Sequence, residues 1–336
     1  MAPSRILITG GTGFIGARVT ALLTSDTLGR PRPALRLLCH RSRSELPRTG
    51  QVEVRQGSLT DPESLRGLCD SVDTVLHLAS QIGGSPRRCH AVNDAGTGAL
   101  LAEAGRSGVR RIIQLGTTAV YRDGRHVCVR EGELPLEPAS STSITRLAGE
   151  QRVLAAGGLV LRAHLVYGPG DVWVLPALAD FLTVLPHWVD GGRALMTVIG
   201  VDDLARVIAG FALRPELPTG EALHAGRPEP VSGRELFTAA ARALGLPLPA
   251  GEVSHSQART WPGTQDDPGW QRRLSLLTVD HWYDTSRLWR LLDCPPGTSF
   301  AEDVAAGAGW YRSSLAEQRA GVSAPTGTAA AARSAG

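Results

Sequence analysis

Lysine is missing from this chain of 336 residues; its 35 basic side chains other than histidine are all arginine. Any mechanism that needs a lysine amine is thereby excluded. Metal-ligand spacing is missing too. The five cysteines (Cys39, Cys69, Cys89, Cys128 and Cys294) form no C-x-x-C pair and no cluster with histidine. An odd, scattered set reads as reduced thiols of a cytoplasmic protein with no metal site. No apolar run approaches the roughly 20 residues that span a membrane. The N-terminus enters a strand pattern at once, which leaves no room for a signal peptide. A net charge of +3 is too small to call for nucleic acid or a membrane surface as partner. There is no internal repeat, and nothing in the sequence bears on oligomeric state. From about Ala316 the chain is Ala, Gly, Ser and Thr with little apolar bulk, so disorder is expected there.

What is present is organised around residues 5–16, RILITGGTGFIG. Ile6, Leu7 and Ile8 read as a buried strand. Phe14, Ile15, Val19, Leu22 and Leu23 then recur at the spacing of one helix face. Between them Gly11, Gly13 and Gly16 satisfy G-x-G-x-x-G, and Gly10, Gly13 and Gly16 give its close variant. This is the logic of a dinucleotide turn. Early glycines permit a tight turn, the middle one admits a pyrophosphate, and Gly16 lets the helix pack closely. The free N–H groups at the helix start then meet negative charge. Gly10, Thr12, Gly13, Phe14, Ile15 and Gly16 are the candidate cofactor contacts of this turn.

Strand-like segments at residues 34–39, 52–55, 74–79, 111–115 and 159–162 alternate with helix-like segments at 61–69, 90–107 and 139–156. Such alternation means βαβ units: an α/β, doubly wound parallel (Rossmann) sheet with helices on both faces. Residues 1–168 are expected to be mainly the cofactor domain. Residues 169–314 are expected to be mainly a smaller substrate-binding region, with helices near 172–185, 202–213, 232–244, 284–292 and 298–314. Asp202 and Asp203 read as helix-capping carboxylates. His164 and His187 read first as hydrogen-bonded core histidines. Residues 252–283, rich in Trp, Pro, Gly and Asp, lack a period and are expected to form a mobile segment over a site.

An acidic residue after the second strand reads the ribose 2′-hydroxyl of NAD. Here that strand runs into His40-Arg41-Ser42-Arg43. Two guanidinium groups and a hydroxyl suit a 2′-phosphate instead. His40, Arg41 and Ser42 therefore point to NADPH.

Further motifs follow in order: Gly57-Ser58-Leu59-Thr60-Asp61; His77-Leu78-Ala79-Ser80; Asn93 with Gly96-Thr97; Thr117-Thr118-Ala119-Val120-Tyr121; Arg162 with Tyr167-Gly168-Pro169; Val201-Asp202-Asp203-Leu204-Ala205; and Asp284-Thr285-Ser286-Arg287. Together with the glycine turn they resemble the extended short-chain dehydrogenase/reductase family over residues 5–314. The resemblance implies that Gly57, Ser58 and Leu59 lie by the adenine, with Ser58 replacing an Asp. It implies that Leu78, Ala79 and Ser80 pass beneath the cofactor, and it adds Arg146, His164 and Leu165 to the cofactor contacts. The family's chemistry rests on a Ser or Thr followed about 25 residues later by Y-x-x-x-K, whose Lys sits one helical turn past the Tyr. Thr117 fills the first place. The second aligns on Thr142-Ser143-Ile144-Thr145-Arg146, so the Tyr has become Thr142 and the Lys has become Arg146. An aliphatic hydroxyl is a far weaker acid than a phenol.

Three functions follow. The first is an NADPH-dependent ketoreductase whose substrate supplies the proton, with Thr117 and Thr142 as the candidate catalytic residues. An aromatic polyketide ketone flanked by a phenol meets that need. Trp173, Phe181, Trp188, Trp261 and Trp282 would form a pocket for this small polycyclic aromatic partner. The second is a sugar-nucleotide epimerase, dehydratase or reductase, which the missing phenol opposes. The third is a non-catalytic sensor of NADP(H).

Overall fold

Ile6, Leu7 and Ile8 are fully buried. A strand covered on both faces leaves polar residues no solvent side, which is why three apolar residues stand in a row. They form β1 (Arg5–Thr9), the centre of the computed structural model, which describes residues 5–27, 31–40, 52–264, 267, 269–292 and 296–323. In chain order come α1 (Phe14–Thr24), β2 (Ala34–Cys39), β3 (Val52–Gln56), β4 (Thr74–His77), α2 (Pro86–Cys89), α3 (Gly96–Arg106) and β5 (Arg111–Thr117). They are followed by β6 (His126–Val129), α4 (Ser141–Ala155), β7 (Leu159–Ala163), β8 (Leu165–Tyr167) and α5 (Val174–Val184).

The main sheet has seven strands in the order Glu221–Ala225, β7, β5, β4, β1, β2, β3. Every pairing is parallel. Successive side chains of β1 point to opposite faces. Ile6 and Ile8 join a core with Val19 and Leu23 of α1 and with the helix Val201–Leu213. Leu7 joins another with Leu100 and Ala104 of α3 and Val153 of α4. This is the doubly wound sheet expected from the alternation. Strand order reverses at β1, which runs to β2 on one side and to β4 on the other. A crevice for ligand opens at such a switch point, beyond the C-terminal ends of the strands.

The structure departs from expectation at four places. Of the helix expected over residues 61–69 only the 3-10 turn Pro62–Leu65 forms. The buried guanidinium of Arg36 takes the carbonyls of Leu68 (2.7 Å) and Asp70 (2.9 Å), which holds that backbone in turns. Residues 252–283, aperiodic in sequence, carry regular structure. Their described part folds into the strand Gly251–Val253, the helices His255–Arg259 and Trp270–Thr278, and the strand His281–Tyr283. Trp270 is buried and stacks on Phe181 at 5.1 Å between ring centroids. Elements this short show no period in sequence. Asp202 and Asp203 lie inside the first turn of their helix, whose N-cap is Gly200; Asp203 pairs with Arg206 and Arg227 instead of capping. The last helix, Ala308–Ser323, also continues past Ala316. No described helix is long and apolar enough to cross a membrane.

Candidate active site

The turn after β1 is built as the glycines require. Gly10 has φ +73°, and a Cβ there would lie 2.7 Å from the Ala79 nitrogen. A Cβ on Gly16 would collide with the Gly10 carbonyl oxygen. The Gly13 N–H donates to that same oxygen at 3.0 Å, closing the turn. α1 begins with Gly13 as N-cap and no side-chain cap. Its first N–H groups are thus left for an anion. A cradle that any side chain would fill, beside an uncapped helix start, fits a pyrophosphate.

This turn is one wall of a cleft of about 550 Å³. The lining includes Gly10, Thr12, Gly13, Phe14, Ile15 and Gly16 on one side and Leu78, Ala79 and Ser80 on another. Thr117, Arg146, His164 and Leu165 complete the expected set. Thr117 ends β5, and its hydroxyl oxygen accepts from the Ala119 N–H at 3.2 Å. Its own proton therefore remains available for a carbonyl oxygen in the cleft. Arg146 donates to the Leu115 carbonyl at 3.2 Å. Burial lowers its guanidinium to about 10, with Glu150 opposing that shift. It stays protonated at neutral pH and is the one charged group among the described lining residues.

The structure does not bring Thr142 into the cleft lining. Its hydroxyl accepts from the Gly83 N–H at 3.2 Å and lies 3.6 Å from the Cys89 sulfur. A hydroxyl on Cβ cannot extend where a phenol ring would, so it falls back on the loop behind it. That loop is held by Asn93, which accepts from the Gln81 N–H at 2.7 Å and donates to the Gln81 carbonyl at 3.0 Å and the Thr145 hydroxyl at 3.2 Å. Asn93 sits in a π-helical turn, His90–Ala95, between α2 and α3.

His40 follows β2, and Gly57, Ser58 and Leu59 follow β3, on the far side of β1 from Thr117. None of the four lines the cleft. Arg41 and Ser42 lie outside the described residues. Of the five aromatics expected around a substrate only Trp173 lines the cleft. Phe181 is core. Trp188 packs under Arg234 at 4.3 Å, and Trp261 donates to the Val184 carbonyl at 3.0 Å. Trp282 lies in the strand beside β6.

Ile82, Val92, Val172 and Val174 also line the cleft and escaped sequence reasoning. The signal for two of them is Asp171. Its buried carboxylate accepts from the N–H groups of Trp173 (2.7 Å), Val174 (2.8 Å) and Leu175 (2.9 Å), starting α5. The cap leaves Trp173 59% exposed at the mouth of the cleft, a flat apolar surface facing solvent.

Two histidines flank the site. His77, buried beneath the loop, bridges the Thr9 hydroxyl (2.8 Å) and the Thr97 hydroxyl (2.9 Å). Burial first, and the Arg146 cation second, push it down to about 4. His164 follows β7, and its Nδ1 lies 2.9 Å from the Thr118 hydroxyl. Burial holds it well below its ordinary value, and His281 and His126 add to that. His187 packs against Trp261 with the rings tilted by 55°, away from the cleft.

A parallel doubly wound sheet with a glycine-turn cleft at its switch point defines a dinucleotide-binding protein of the extended short-chain dehydrogenase/reductase kind. Residues 6–226 match the NAD dependent epimerase/dehydratase family, and the chain belongs to that family. It is 30% identical over 328 residues to a 2-alkyl-3-oxoalkanoate reductase of Stenotrophomonas maltophilia, covering 89% of this chain and 97% of that protein. It is 29% identical over 268 residues to a 4-hydroxy-2-methyl-3-oxo-4-farnesyl-3,4-dihydroquinoline-1-oxide ketoreductase of Stigmatella aurantiaca, covering 76% and 78%. Among solved structures, the dTDP-glucose 4,6-dehydratase DesIV of Streptomyces venezuelae, with NAD and TYD bound, superposes with a TM-score of 0.71 at 22% identity, covering 93% of this chain and 98% of that one.

Proposed function

We propose that this protein is an NADPH-dependent ketoreductase of antibiotic biosynthesis, acting on an angucyclinone-type polycyclic aromatic ketone whose own phenol supplies the proton. The observation that carries it is the chemistry of the cleft wall. Among the described lining residues are the hydroxyls of Thr12, Ser80 and Thr117 and one cation, Arg146, but no phenol and no carboxylate. All four tyrosines are engaged elsewhere. Tyr121 bonds Arg162 and His224, Tyr167 bonds Asp303, Tyr283 bonds His126, and Tyr311 accepts from the Gly168 N–H. Two relatives bear the names of reductases of oxo compounds, which supports carbonyl reduction over sugar-nucleotide chemistry.

Gly10, Gly13 and the start of α1 would hold the pyrophosphate, and Arg146 the nicotinamide ribose. NADPH, when bound, supplies the hydride. Thr117 donates to the carbonyl oxygen and stabilises its developing charge. The neighbouring phenol passes its proton to that oxygen, and the phenolate regains one from water. Trp173 offers a face for a fused-ring substrate.

The test compares 8-hydroxy-1-tetralone with 8-methoxy-1-tetralone by NADPH oxidation. Removing a general acid costs on the order of 100-fold or more, so the methyl ether is expected to react at least about 100-fold more slowly. Thr142→Ala is expected to stay within about twofold of wild type, because its hydroxyl does not reach the cleft. Equal rates for the two ketones, or a large loss in T142A, would place the proton source in the protein. NADPH bound without turnover of either ketone would favour the sensor.

Arg41 is proposed to read the 2′-phosphate. Arg41→Ala is expected to lower the NADPH-over-NADH preference by about 10–100-fold, the worth of a charge-assisted contact. An unchanged preference in steady-state kinetics would sink that assignment.

A further inference from the structure

The cleft wall formed by Val172, Trp173 and Val174 is held from behind by the far end of the chain. These residues follow the turn Gly168–Asp171, which the Asp171 N–H closes by donating to the Gly168 carbonyl at 2.9 Å. Gly168 is buried. Its N–H donates at 2.7 Å to the hydroxyl oxygen of Tyr311, on the helix Ala308–Ser323. The Tyr311 hydroxyl in turn donates to Oδ2 of Asp171 at 3.5 Å. One phenol thus meets both ends of the turn. Tyr311 and Asp171 are each 1% exposed, and the Tyr311 ring shares a core with Val174, Leu175 and Leu178 of α5. On another side the turn rests against the cofactor turn. A Cβ on Gly170 would lie 2.7 Å from the ring of Phe14, which begins α1 and lines the cleft.

Burial changes abruptly past the turn. Asp171 is buried, Val172 and Trp173 are more than half exposed while lining the cleft, and Val174 and Leu175 are buried again. Trp173 is held through its backbone. Its N–H donates to Asp171 at 2.7 Å, and its carbonyl accepts from the Ala177 N–H at 3.0 Å. Where the indole stands therefore follows from where the turn stands. Ile82, half exposed on the loop after β4, lines the same cleft. Val172, Trp173 and Ile82 together give it an apolar opening. A flat ring system too long for the interior meets apolar surface there.

We infer that Tyr311 is a positioning residue for the substrate: through the turn Gly168–Asp171 it sets Trp173, and Trp173 selects ketones that carry a further fused ring beyond the phenol. Tyr311 itself touches no substrate. It acts by giving the buried Gly168 N–H its acceptor and by steadying the carboxylate that starts α5.

This inference rests on the ketoreductase reading, and its test separates the two. 8-Hydroxy-1-tetralone is compared with 9-hydroxy-3,4-dihydroanthracen-1(2H)-one, which keeps the phenol beside the carbonyl and adds one fused ring. Both satisfy the proton supply proposed above. Affinity is read by calorimetry with NADP+ present, which needs no turnover. Wild type is expected to bind the three-ring ketone about tenfold more tightly, as an added aromatic contact allows. Trp173→Ala is expected to erase that ratio. Tyr311→Phe keeps the ring in the core but leaves the Gly168 N–H buried without an acceptor. It is expected to cut the ratio to about threefold or less. Hydrogen exchange at residues 168–175 is expected to quicken at least about tenfold in Y311F, with β1 unchanged. A merely structural role for Tyr311 would weaken both ketones alike and leave their ratio at the wild-type value. No preference for the third ring in wild type, a full preference kept by W173A or Y311F, or unaltered exchange at residues 168–175 would each overturn the inference. A preference that follows these variants without NADPH oxidation by either ketone would uphold the inference and overturn the ketoreductase reading instead.

Discussion

Glu150→Ala is expected to cost about 3–5 kcal/mol of stability, the loss seen when one partner of a buried ion pair is removed. The carboxylate of Glu150 is 1% exposed and its partner Arg162 is 5% exposed. Arg162 donates through Nε to Glu150 at 3.0 Å and through a second nitrogen to the same oxygen. Its third nitrogen donates to the Tyr121 hydroxyl at 2.7 Å, which in turn meets His224 at 2.7 Å. α4 supplies the acid and β7 the base, so the pair ties the helix that carries Arg146 to the sheet beneath the cleft. The alanine variant strands a guanidinium in the interior with no counter-charge. Replacing both residues by apolar ones of similar volume, as in E150L with R162M, is expected to recover most of the loss, because neither charge then needs solvation. Urea unfolding of the three variants measures this. A single-mutant loss below about 1 kcal/mol would show that the pair is solvated.

The second large effect is acid lability between pH 6.5 and 4. His77 and His281 are both held near 4, chiefly by burial. His164 lies well below its ordinary value, and His126 and His224 are lowered as well, burial leading in each case. In the unfolded chain these side chains titrate near 6.5. Between the two values the unfolded state binds protons that the native state refuses, so stability falls as pH falls. It is fully present above about pH 6.5 and is lost progressively toward pH 4. A group lowered by about 2.5 pH units contributes roughly 3 kcal/mol at the bottom of this window, so the set is worth several kcal/mol. Urea midpoints are expected to be flat from pH 8 to 7 and then to drop steeply. Midpoints unchanged down to pH 4 would mean that the histidines are hydrated. The paired carboxylates are a separate matter: Asp70 and Glu103 are held low by Arg106, so their contribution is lost only at lower pH.

Local sequence already dictates the sheet, the glycine turn and the position of Thr117 and Arg146. These are local signals: an unbroken apolar strand, glycines where a side chain collides, and one helical turn between positions 142 and 146. Tertiary structure alone decided which side chains share the cleft. Thr142 aligns with a catalytic position, yet its short side chain reaches Gly83 and Cys89, 59 and 53 positions away in sequence. Phe181 lies inside α5 and Trp173 is the N-cap of that helix, and the two look alike as aromatics. One stacks on Trp270 in the core, and the other stands at the cleft mouth because Asp171 starts the helix just behind it. The hydrogen bond between the Tyr283 hydroxyl and Nδ1 of His126 joins residues 157 positions apart in sequence. No local periodicity encodes such a meeting. It exists only once β6 and the strand His281–Tyr283 lie side by side.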